Sequence, residues 1–132
     1  MANTSDKVFF DANVLLDSAL KRDNKAAADA MLHEAAGRAY ISSLTAHLFV
    51  YFASKDISLP DLQYFLNDFI ILPLDGSDVS WAFSHLHGND FEDALQVACA
   101  AHGGCTRFVT FDRALIQRYQ GVSGLEFTDP AG

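Results

Sequence analysis

The chain is short of cysteine and of positive charge, and it lacks any long hydrophobic run. Two cysteines, Cys99 and Cys105, do not make a disulfide scaffold in 132 residues; they read as reduced thiols, with Cys99 in a helical core pattern. Five histidines (His33, His47, His85, His87 and His102) show no zinc-ligand spacing with the cysteines. No apolar stretch reaches the length of a membrane span. The polar opening from Met1 to Lys7 lacks a leader pattern, which sets a cytoplasmic expectation with no membrane partner. Nine basic residues against 17 acidic ones give a net charge of −8. That argues against nucleic-acid binding by bulk charge, leaves room for a local basic strip beside an acidic pocket, and suits a basic protein partner. There is no Walker-type phosphate loop, no Gly-x-Ser-x-Gly and no Cys–His pair of useful spacing, so no protein nucleophile is evident. Repeats, linkers and low-complexity tracts are missing too, and the length suits one domain over residues 1–132.

What is present is an alternation of strand and helix patterns. Lys7 to Phe10 reads as a short buried strand, followed by Asp11-Ala12-Asn13 and a helix from Val14. Asn24 to Ala36 is an Ala-rich helix stopping at Gly37. Ala39 to Ile41 is a second strand, and Ser42 or Ser43 caps a helix from Leu44 to Ser54 with an apolar stripe of Leu44, Leu48 and Tyr51 or Phe52. Leu59 to Asn67 is helical, with Pro60 tolerated near its first turn. The unbroken run Phe69 to Leu72 predicts a buried parallel strand. Ser77 to His87 predicts a helix burying Trp81; Thr106 to Thr110 is a strand, Arg113 to Tyr119 a helix, and Leu125 to Phe127 a last strand. This order predicts an α/β sandwich around a mostly parallel sheet. Right-handed crossovers bring the carboxyl ends of its strands to one edge.

The stretch Asn89 to Gln96 packs Asp90, Glu92 and Asp93 against a helical pattern of Ala94, Val97, Ala98 and Ala101. Asp90 and Asp93 share one face of its first turn. Helix capping by Asn89 with Glu92, or by Asp90 with Asp93, accounts for such acids without any function. Asp11 and Asp112 shift the balance. Each follows a strand, where α/β folds place functional groups, although each could simply cap the next helix. Three segments thus deliver carboxylates to one crevice. Crowded carboxylates repel, and a divalent cation relieves the repulsion. Oxygen-only ligands select Mg²⁺ or Mn²⁺ over zinc, and such an ion activates water toward a phosphodiester.

Val8 to Leu16, Asp90 to Gln96 and Val109 to Asp112 together resemble the PIN domain family, in order and size over nearly the whole chain. The resemblance implies a PIN-like α/β/α sandwich. It also implies an Mg²⁺- or Mn²⁺-dependent ribonuclease, and in single-domain members a VapC-like toxin held by a co-encoded antitoxin; it admits a homodimer. By the same resemblance Asp11, Asp93 and Asp112 are the metal ligands and catalytic acids, with Asp90 an auxiliary acid at the helix end. Asn13 matches the polar position beside the first acid. For contact with RNA, Arg113 is the candidate, along with Arg107 and Arg118. One position departs from the pattern: Leu48 stands where a Glu is usual, three residues beyond Thr45. Either Asp90 or Glu92 compensates, or metal binds weakly, or activity is lost. That departure is the case for a second expectation, a PIN-fold module that binds protein or RNA without cutting. A phosphohydrolase of the haloacid-dehalogenase type fits poorly, because its second Asp would fall at position 13, which is Asn.

Overall fold

Val8–Phe10 form β1, and all three side chains are completely buried. A strand that is apolar on both sides needs cover on both sides. Val8 and Phe10 face a core with Val14, Leu15, Ile41 and Phe49. Phe9 faces the other, stacked on Phe108 with ring centroids 5.0 Å apart. In this computed structural model, residues 6–132 are described, so the opening segment read above falls largely outside them.

Four more strands follow: β2 (Ala39–Ser42), β3 (Ile70–Leu72), β4 (Arg107–Val109) and β5 (Glu126–Thr128). They pair in the order β3–β2–β1–β4–β5, every neighbour parallel, so the sheet is parallel throughout rather than mostly. One face is covered by α1 (Ala12–Ala19), α2 (Lys25–Glu34), α3 (Ser43–Ala53) and α4 (Leu59–Leu66). The other is covered by α5 (Gly76–Ser84), α6 (Phe91–His102) and α7 (Arg113–Tyr119). The result is the three-layer α/β sandwich expected from the alternation. No helix among the described residues is long and apolar enough to cross a membrane.

Local chemistry sets the element ends. Ser42 caps α3, its Oγ accepting from the Thr45 N–H at 2.9 Å. Asp75 and Asp78 form a reciprocal capping box at α5. At the end of α6 a Cβ on Gly103 would stand 2.5 Å from Leu72 Cδ1, so a larger residue there would make the Leu72 side chain shift.

Three expectations need correction. The Phe69–Leu72 run is parallel but not buried: β3 is an edge strand, and Ile70 and Ile71 are each 47% exposed. An apolar run reports hydrophobicity, not position in the sheet. In α3 the core face is Thr45, Phe49 and Ala53, whereas Leu44 and Leu48 are half-buried and Tyr51 and Phe52 exposed. The helix is apolar on nearly every side, so periodicity could not select its inner face. Trp81 is half-buried, stacked on His85, and the buried residues of α5 are Asp78 and Ala82.

Candidate active site

Three chain segments meet at the carboxyl edge of the sheet. Asp11 follows β1 and caps α1, one carboxylate oxygen accepting from the Ala12 N–H at 2.7 Å. Asp112 caps α7 beyond β4, accepting from the Leu115 N–H at 3.1 Å. Asp93 lies in the first turn of α6. The capping explanation is therefore true of Asp11 and Asp112, but it uses only one oxygen of each.

Thr110, fully buried between these acids, ties two of them together. Its hydroxyl donates to Asp11 Oδ2 at 2.9 Å and accepts from the Asp112 N–H at 3.0 Å. Asn13 completes the web: its Nδ2 donates to Thr110 Oγ1 at 3.1 Å, and its Oδ1 accepts from the Phe111 N–H at 3.2 Å. The turn carrying Asp112 is thus fastened to the turn carrying Asp11. Asn13 was marked in the sequence; Thr110 was not, and its only signal was a hydroxyl two residues before an acid.

The electrostatics report crowding. Burial pushes the Asp11 carboxyl up to about 6, and the charges of Asp93 and Asp112 add to the rise against the pull of the Thr110 and Ala12 hydrogen bonds. Burial also pushes Asp93 up to about 6, with Asp112 the largest repelling charge and Arg118 opposing. Two acids that resist ionisation beside a third mark a crevice short of positive charge.

Asp90 behaves differently. Burial opposes its charge, but donors from Tyr119, the His87 N–H and Arg118 outweigh burial and hold it below the usual carboxylate range. Those bonds are 2.7 Å from Tyr119 OH, 2.7 Å from His87 N and 3.2 Å from Arg118 Nη1. Arg118 Nη1 also reaches Asp93 Oδ2 at 3.5 Å. The other candidate arginines lie elsewhere. Arg113 pairs with Asp129 at 2.9 Å, and Arg107 opens β4 at the opposite edge of the sheet, against Glu34.

The departure at position 48 has a visible setting. Thr45, one turn before Leu48, accepts from Gln96 Nε2 at 2.8 Å, and Ser42 Oγ donates to Gln96 Oε1 at 2.6 Å. Gln96 is buried one turn beyond Asp93 on α6. A neutral amide therefore joins α6 to the start of α3, and Leu48 packs into neither core. Glu92 is exposed.

The donor set around the crevice is entirely oxygen, which suits a hard divalent cation. Among the described residues no three His, Cys, Asp or Glu side chains stand close enough to enclose an ion by themselves. The cysteines are no alternative centre: both are buried, and burial pushes the Cys99 thiol up to about 12.

Solved structures share this architecture. A toxin–antitoxin complex from Klebsiella pneumoniae has a chain that superposes with a TM-score of 0.77 at 19% identity, over 94% of this chain and 98% of that one. A DNA-bound VapBC from Salmonella typhimurium gives 0.71 at 16% identity, over 95% and 98%. VapC20 of Mycobacterium tuberculosis, a toxin that cleaves the sarcin-ricin loop, gives 0.69 at 11% identity, over 84% and 94%. At such identities the likeness is one of fold. No curated protein matches the chain in sequence. The PIN domain family model matches residues 8–121, a span that runs from β1 through the acids on α6 and after β4, and on that match the chain belongs to the PIN domain family.

Proposed function

We propose that the chain is a metal-dependent endoribonuclease of the VapC-like kind, cutting RNA phosphodiester bonds at a crevice where Asp11, Asp93 and Asp112 hold Mg²⁺ or Mn²⁺. The observation that carries the proposal is the convergence of these three carboxylates, from three chain segments, with Asp11 and Asp93 both raised to about 6. A bound divalent ion would lower the pKa of a water and offset charge on the phosphodiester. The chain's own residues supply placement. Thr110 and Asn13 fix Asp11 relative to Asp112. Neither cysteine is poised as a nucleophile, which fits attack by a metal-activated water.

An antitoxin partner belongs to the same proposal. The similar folds include toxin–antitoxin and VapBC complexes, and a chain of net charge −8 suits a basic partner whose arginines pair with the crevice acids. A second reading, binding without cleavage, is favoured by one observation: the uncharged Leu48 at the position of the usual acid.

Incubation with end-labelled single-stranded RNA, in Mn²⁺ and in EDTA, separates the two. Cleavage in Mn²⁺ alone, abolished in Asp93→Asn, is the expected result. RNA bound but left intact supports the binding module, and RNA neither bound nor cut removes the nuclease reading and leaves a module that binds protein alone.

A further inference from the structure

We propose that Arg118 is the phosphate-binding residue of this crevice, held in place by Asp90 and Tyr119; the inference rests on the nuclease reading above and assigns its RNA contact. Asp90 accepts from Tyr119 OH, from the His87 N–H and from Arg118, and its side chain is only 6% exposed. A carboxylate so occupied is an anchor rather than a metal ligand. Its partner Tyr119 is buried, gives its one hydroxyl proton to Asp90, and stands with that hydroxyl 3.3 Å from the His85 carbonyl, so the anchor sits between two helix ends, those of α5 and α7.

The guanidinium it holds is only partly used. Arg118 engages acids through Nη1, while its Nε and Nη2 bond to no described residue, and its side chain is 34% exposed. The contact to Asp93, at 3.5 Å, is long enough to yield while Asp90 keeps its grip. A planar guanidinium with an open edge matches phosphate oxygens in a bidentate way that an ammonium does not. Such a cation is what the crevice needs, since a net charge of −8 gives RNA no attraction at long range. Among the described ion pairs, Arg118 is the cation that touches the crevice acids, whereas Arg113, 74% exposed, turns its Nε to Asp129 instead.

The test is the salt dependence of binding to a labelled single-stranded RNA. It uses the Asp11→Asn protein in Mn²⁺, so that cleavage does not interfere, with and without Arg118→Gln or Arg118→Lys. Arg118→Gln should weaken binding about tenfold at low salt. It should also lower the slope of log affinity against log salt by about 0.7, the loss of one phosphate contact to a single strand. Arg118→Lys should keep the slope and lose affinity several-fold. A merely structural arginine would lower the melting temperature and leave the slope alone, and that result overturns the proposal. If Arg118→Gln does not fold, Arg118→Lys decides: parental affinity overturns the assignment, and a several-fold loss at an unchanged slope supports it. If neither wild type nor Asp11→Asn binds RNA, the nuclease reading falls together with this one. Parental affinity and slope in Arg118→Gln remove Arg118 alone.

Discussion

Thr110 is a small residue with a large share of the site. Its hydroxyl serves Asp11, Asn13 and the Asp112 backbone together. Thr110→Val keeps the shape and removes all three bonds, leaving buried groups unpaired, so a loss of roughly 1–3 kcal/mol is expected in urea unfolding. Cleavage should fall with it, because two acids lose their common reference. Stability unchanged in Thr110→Val would show that the web is not formed in solution. The acids themselves predict a pH effect. Asp11 and Asp93 stand at about 6 in the folded chain against an ordinary 3.8, so the protonated form suits the folded state better. In EDTA their contribution is complete below about pH 4 and is lost as pH rises through about 6. A metal ion prefers the ionised acids, so the melting rise caused by Mn²⁺ should be small at pH 5 and grow as pH passes 6. A rise that is flat with pH, or larger at pH 5, would contradict the assignment.

At the scale of elements, α3 carries the sharpest test. Leu48 lies one turn beyond Thr45, which is bonded to Gln96 of the helix that carries Asp93, and Leu48 joins neither core. Leu48→Glu should therefore cost only about 1 kcal/mol, the ordinary size for a half-buried position outside the packed cores, and should enlarge the Mn²⁺ melting rise. A loss of several kcal/mol with no gain from metal would place position 48 in the packed interior instead. The same helix shows what sequence could not deliver. Strands β1 and β4 and the acidic helix were legible because a patterned face or an unbroken run leaves few alternatives. Helix α3 is apolar nearly all round, so its inner face waits on tertiary contacts, and Phe69–Leu72 gave no sign of being an edge. Within the site, Asp11 and Asp112 were legible as acids following strands and Asp93 as an acid opening a patterned helix. Thr110 and Gln96 were not, because their partners lie 99 and 51 residues away in sequence. The anchoring role of Asp90 depends likewise on Tyr119, 29 residues further on.

For the whole molecule, the parallel sheet with one active edge makes toxicity a prediction. Expression in a bacterial host should slow growth, and Asp93→Asn should restore it. Equal growth of cells making wild type and Asp93→Asn would remove the toxin component while leaving the fold untouched.

The central claim is that three carboxylates from three chain segments form one divalent-cation site. Calorimetric titration of Mn²⁺ into metal-free protein at pH 7.5 tests it most directly. The account predicts one saturable ion per chain, with affinity sharply reduced in Asp11→Asn, Asp93→Asn and Asp112→Asn alike and retained in Asp90→Asn. Absence of saturable binding in the wild type, or binding indifferent to all three substitutions, would contradict it.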